Sequence, residues 1–208
     1  MKYSELSTPW KRIFELEWES LCKGSKAIAA VIVDEEGDIV SEGRNQIAEW
    51  TIPNTIVAHA EAEAVRSLNL RKHRHPKTYT LYTGLEPCIM CMGTIVMVHI
   101  RKVVIAARDD YGGAMHLINH SDFAKSKGMQ VTFLDNELGD MQRAFQTLRE
   151  LMYNDDEEKK AQMMTDFSVY NKVGVDAAMS LFEDSFFKSR TPNEMAVEEV
   201  YDALMARC

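Results

Sequence analysis

No run of about 18 apolar residues free of charge occurs in this chain, which excludes a helix of the length that spans a bilayer. Proline and glycine are scarce, five and ten among 208 residues, so collagen-like and low-complexity classes are excluded. Cysteine is scarcer still: the four residues at 22, 88, 91 and 208 cannot form the dense disulfide framework of a small secreted domain. Positive charge is in deficit, with 24 Lys and Arg against 32 Asp and Glu, so the chain as a whole would be repelled by a phosphate backbone. Met1 to Trp10 also lacks the basic and then apolar run of a signal peptide. A soluble, cytoplasmic protein with no membrane partner is expected.

With 46% hydrophobic residues the chain can bury a core that offsets the entropy of folding. The acid excess is unevenly placed. From Tyr153 onward 12 acids face 6 bases, which leaves a net charge of only -2 for the first 152 residues. The shift marks a boundary between a main domain, 1–152, and a C-terminal extension, 153–208.

Along the main domain, Thr8-Pro9 starts a helix that should run to Cys22. Ala27 to Val33 and Asp38 to Ser41 flank a Gly-containing turn and read as a hairpin, its first strand buried on both faces. His59 to Leu70 reads as a helix, Thr78 to Thr83 as a strand, Cys88 to Val98 as an apolar helix and Lys102 to Ala107 as a strand. Val131 to Leu134 could add a fifth strand before a helix over Leu138 to Met152. Strands alternating with helices imply an α/β sheet covered by helices. In the extension, apolar stripes through Met163-Phe167-Tyr170 and Val175-Met179-Phe182-Phe186 predict two helices, and the capping box Thr191-Pro192-Asn193-Glu194 predicts the start of a third. Such Met and Phe stripes are more often core or interface than a cofactor box.

Chemistry concentrates in His59-Ala60-Glu61 and Glu86-Pro87-Cys88-Ile89-Met90-Cys91. Four cysteines placed at random would give a C-x-x-C about 0.06 times, so the motif is not an accident of composition. Cys88 and Cys91, at i and i+3 near a helix N-terminus, face one way, and the macrodipole there favours thiolates. His59 and Glu61 would point about 200° apart inside a regular helix, so His59 must sit at or before the helix start if both serve one site. His59, Cys88 and Cys91 then supply three ligands to a zinc ion whose fourth position stays open, with Glu61 as proton shuttle.

That signature, H-x-E followed by P-C-x-x-C, is the one general chemistry assigns to zinc deaminases. The chain resembles the cytidine and deoxycytidylate deaminase superfamily. Thr83 to Gly93, Val103 to Asp109, Gly112-Gly113 and Glu42-Gly43-Arg44-Asn45 are most similar to the branch holding guanine deaminases and bacterial tRNA adenosine deaminases. The resemblance covers about Ala27 to Met152. It implies a three-layer α/β/α sandwich with a mixed five-stranded sheet, a homodimer, and substrate contacts from Asn45 and Asp109. Those two could instead be a turn residue and a local cap. The segment Ser25 to Ala30 lacks the branch's usual Pro and Gly, and Gly84 and Met92 stand where Thr and Ala are common.

A closed structural zinc site would need a fourth ligand from Cys22, Cys208, His73, His75, His99, His116 or His120. A redox C-x-x-C would leave the His-x-Glu unused. The basic cluster Arg71 to Lys77, roughly 18 Å from His59 if a helix joins them, reads as a solvated loop before it reads as a guide for RNA. The leading expectation is therefore deamination of a free nucleobase or nucleoside, guanine-type purine first. A tRNA adenosine deaminase is the alternative, and an inactive binding module is a third reading.

Overall fold

The computed structural model describes residues 1–188 and 190–208. Five strands form one sheet: β1 (Ala29–Val33), β2 (Ile39–Arg44), β3 (Thr80–Leu85), β4 (Lys102–Ala107) and β5 (Gln130–Phe133). Their order is β2-β1-β3-β4-β5. β1 runs antiparallel to both β2 and β3, while β3, β4 and β5 are parallel. Four strands therefore point the same way, and the C-terminal ends of β2, β3 and β4 lie along one sheet edge. In open α/β sheets that edge is where ligands bind.

Strand β1 explains the two-layer covering. All five of its residues are buried. Ala29, Val31 and Val33 face one core and Ala30 and Ile32 the other, as the two-residue strand period requires. The second core is covered by α2 (Ala60–Ser67), α3 (Ile89–Val98) and the short α4 (Asp122–Lys125). The first is covered by α1 (Thr8–Cys22) and α5 (Glu137–Tyr153) together with the last two helices, α6 (Glu157–Glu183) and α7 (Val197–Met205). The fold is the α/β/α sandwich with a mixed five-stranded sheet and added C-terminal helices. No described helix is long and apolar enough to cross a membrane.

The extension is built into this core. Val200, Tyr201 and Leu204 of α7 are fully buried. Tyr201 meets Phe14 edge-on at a centroid separation of 5.0 Å, and Trp18 donates its indole N–H to the Met195 carbonyl at 3.1 Å. Removing 154–208 would strip apolar cover from α1 and α5.

Three sequence expectations change. The helix after His59 ends at Ser67 instead of continuing to Leu70, because Leu68 turns to an extended conformation. The basic cluster at 71–77 thus sits beyond a turn, and a distance counted along a helix does not apply to it. The first two tail helices are one, α6, kinked at Asn171 (φ -131°, ψ 48°), whose Nδ2 donates to Asp140 Oδ1 at 3.2 Å. At Gly174 the helix closes on α5 so tightly that a Cβ would lie 1.9 Å from the Asp140 carbonyl oxygen. The capping box at Thr191 and Glu194 forms as read, but it caps a single 3-10 turn, Pro192–Glu194, and α7 starts at Val197.

Candidate metal centre

Each site residue sits at an element end on the shared sheet edge. β2 runs out into Asn45, β3 into Glu86-Pro87-Cys88, and β4 into Arg108-Asp109. His59 is the extended N-cap of α2 (φ -85°, ψ 149°), so it and Glu61, the helix's second residue, escape the 200° divergence of a regular turn. Cys88 is the N-cap of α3 and Cys91 lies one turn inside. The two helix N-termini thereby bring their partial positive charge to one place, as thiolate ligands need. Gly43 permits this approach: a Cβ there would sit 2.2 Å from the Ala60 carbonyl oxygen and 2.3 Å from the Ala64 nitrogen.

One nitrogen of His59 and the sulfurs of Cys88 and Cys91 all lie within 4.8 Å of one another. Cys91 is buried, and Cys88 Sγ stands 3.6 Å from His59 Nδ1. Among the described residues no further His, Cys, Asp or Glu joins the group, so a closed four-ligand site has no fourth donor. One nitrogen and two sulfurs suit zinc, and three protein ligands match an open, catalytic centre. The donor chemistry fits as well. Cys88 is held down at about 3, first by its hydrogen bond from Cys91 and then, against burial, by His59. Cys91 is pushed up by that same bond and by burial. One thiolate, Cys88, is thus ready, and a cation bound between the two sulfurs would favour ionisation of Cys91 as well.

Glu61 is buried, and burial first, then the negative charge at Cys88, pushes its carboxyl above the usual range. A carboxyl with a raised affinity for protons, beside three metal donors, is suited to take up and return a proton. A pocket of about 80 Å³ gathers Glu61, His59 and Cys88 with Asn45, Leu85 and Asp109. Both substrate-contact residues expected from the resemblance therefore line the same space. Asn45 is also a turn residue: its Oδ1 accepts the Ile47 N–H at 3.2 Å. Asp109 Oδ1 accepts the Tyr111 N–H at 3.3 Å and lies 3.4 Å from Arg143 Nη2.

Sequence reasoning missed several groups here. Glu86 accepts the N–H groups of Asp109 and Met115 at 3.3 and 3.2 Å and so holds the loop after β4 against the site. The only hint was its place in the motif. Arg143 of α5, and Met163 and Phe167 of α6, line a larger outer space adjoining the pocket, and no local motif marks them.

The chain is similar to known proteins over its main domain. The family model for the cytidine and deoxycytidylate deaminase zinc-binding region matches residues 7–107. A tRNA-specific adenosine deaminase of Aquifex aeolicus is 38% identical over 117 residues, which span 54% of this chain and 68% of that protein. Among solved structures, a tRNA:A34 deaminase studied for A-to-I editing at the wobble position of transfer RNA has a TM-score of 0.50 at 25% identity, over 60% of this chain and 95% of that one. A guanine deaminase from Nitrosomonas europaea has a TM-score of 0.54 at 22% identity, over 70% of this chain and 86% of that one, a likeness of fold alone.

Proposed function

The chain belongs to the cytidine and deoxycytidylate deaminase family, and from that premise we propose that it hydrolytically deaminates an aminopurine ring, releasing ammonia, with zinc as cofactor. The observation that carries this is the convergence of His59, Cys88 and Cys91 within 4.8 Å beside the buried Glu61.

His59, Cys88 and Cys91 would hold the metal, and zinc bound there would make water a nucleophile at neutral pH. Glu61 takes a proton from the attacking water and delivers it to a ring nitrogen, which makes the amine-bearing carbon electrophilic; it then carries the proton of the newly added hydroxyl to the amine, so that the C–N bond breaks, ammonia leaves and a carbonyl remains. Burial supports the role, because a carboxyl in bulk water would lack the proton affinity for the second transfer. Asn45 and Asp109 orient the ring through its edge. Glu86 positions Asp109 through the backbone.

For the ring and its carrier two readings stand. The relatives named tRNA-specific adenosine deaminases support an adenosine in tRNA more strongly than the guanine-type free base with which the sequence analysis leads. The free base or nucleoside is supported by a different observation, the covering of the outer space by α6. The catalytic unit is proposed to be 1–152, with 153–208 completing its core and its pocket.

A homodimer acting in the cytoplasm is also proposed. Helix α3 is apolar all round, yet Ile89 and Met97 are 66% and 65% exposed. Such a face suits a second copy of the chain. None of the four cysteines is joined in a disulfide, in keeping with a reducing compartment.

The test is ammonia release by the zinc-loaded protein across guanine, adenine, cytosine, their nucleosides and nucleotides, and a tRNA pool. Glu61→Ala should retain zinc and lose about 10²- to 10⁴-fold in kcat. A variant with full zinc and most of its turnover would sink the assignment.

A further inference from the structure

The established family chemistry ends at the metal and the ring; what the chain adds is a roof. The inner pocket with Glu61 and Cys88 adjoins an outer cavity of about 490 Å³: Ile28, Asn45, His59, Leu85 and Asp109 line both. Across this cavity from the metal stand Arg143 of α5 and the first half of α6, through Met163 and Phe167. The volume lies in the lower part of the range of small-ligand pockets.

The roof is anchored toward its C-terminal end, on either side of the kink. Beyond Asn171 the second half of α6 is seated on α5, with Gly174 against the Asp140 backbone and Ala177, Ala178 and Leu181 in the core. On the near side Phe167 is buried with its ring over the Arg143 guanidinium, 4.5 Å from ring centre to Cζ. Arg143 is itself buried and held on several sides. It donates to the Arg108 carbonyl at 2.7 Å and to Gln146 Oε1 at 2.5 Å, and stands 3.4 Å from Asp109. The same residues that lock the roof therefore touch a group of the inner pocket.

Shape, not charge, separates the two carriers. Residues 154–170 carry five acids and two lysines, but the cavity wall itself holds Lys26, Arg143 and Lys159 beside Asp109 and Asp166. A polynucleotide whose base entered this pocket would have to lead its strand out in both directions past the α6 segment, which stands in the way as a steric bar.

We infer that residues 157–170 of α6, locked by Phe167 on Arg143, form a specificity wall that confines the site to a free purine base or nucleoside and excludes a base still joined to an RNA strand. This rests on the aminopurine deaminase reading and selects between its two carriers. The reacting edge of the ring enters the inner pocket, and the outer cavity takes the rest of the base and, in a nucleoside, its sugar.

The experiment uses the full-length zinc-loaded protein. It compares kcat/KM for adenine, guanine, adenosine, guanosine and an anticodon stem-loop RNA carrying the same target adenosine, and measures binding of each by zinc-loaded Glu61→Ala. Met163→Trp, which fills the outer cavity from the roof, should lower kcat/KM for the nucleoside about tenfold more than for its free base. Turnover of base or nucleoside, no turnover of the stem-loop, and that selective loss would support the wall. Turnover of the stem-loop at a rate matching the free nucleoside would overturn the wall and leave the deaminase intact. Equal losses for base and nucleoside in Met163→Trp would also overturn it. Neither binding nor turnover of any purine would overturn the aminopurine reading itself, and the wall with it.

Discussion

Replacing Glu17 by Gln should stabilise this protein at alkaline pH and hardly change it in acid. Glu17 lies on α1 with no exposed surface, and among the described residues neither carboxylate oxygen has a hydrogen-bond partner. Burial is the largest influence on its carboxyl and pushes it well above the ordinary value. The folded state therefore holds a proton that the unfolded state releases above about pH 4.3. Between that pH and the raised folded value, the unfolded state binds fewer protons, so stability falls as pH rises, by up to about 1.4 kcal/mol per pH unit. A buried unsatisfied polar group costs about 1–3 kcal/mol, and more when charged, which sets the scale of the effect. Gln at position 17 never ionises. Its amide can also donate to Gln142, whose side chain lies against the same Gly84 and whose Oε1 likewise has no partner among the described residues.

At pH 8 the variant should gain about 1–3 kcal/mol, and for a chain of this length each kcal/mol moves Tm by about 2–4 °C. Thermal unfolding followed by circular dichroism at pH 5 and pH 8, with zinc held constant, reads both numbers. A Tm difference that is the same at both pH values, or a variant less stable at pH 8, would refute the reasoning.

Two further predictions concern the same core. A Cβ at Gly84 would lie 2.0 Å from Glu17 Oε1, so Gly84→Thr should destabilise by about 1–3 kcal/mol, and a Glu17→Ser, Gly84→Thr double variant should recover much of the loss; strictly additive unfolding free energies would exclude this coupling. Leu204→Ala in α7 should cost about 2–5 kcal/mol and unfold the whole chain in one transition, because the fully buried Leu204 shares its core with α1 and α5; a separate early transition of the tail in denaturant would contradict it.

The Gly84 contact also accounts for a departure visible in the sequence. Where relatives commonly carry Thr, this chain has no side chain at all, and the Glu17 carboxyl takes the space. No spacing rule links positions 17 and 84. The same holds for Arg143 and Phe167, which are 24 residues apart and meet only because α6 folds back onto α5 at Gly174. The kink at Asn171 was equally silent: two apolar stripes in different phase read as two helices, and the side chain bonded to Asp140 joins them in one.

What the sequence by itself determined is local or periodic. β1 buried on both faces, β4 over Lys102 to Ala107, the displacement of His59 out of the α2 helix and the pairing of Cys88 with Cys91 all follow from periods of 2 and 3.6 and from the chemistry of metal donors. These depend on neighbours a few residues away, which a one-dimensional reading contains. Only the tertiary structure decided what closes the pocket. Its roof comes from a segment about a hundred residues beyond His59, brought over the site by close backbone packing and one buried cation–aromatic contact. Such contacts depend on shape between distant segments, and shape has no period to read.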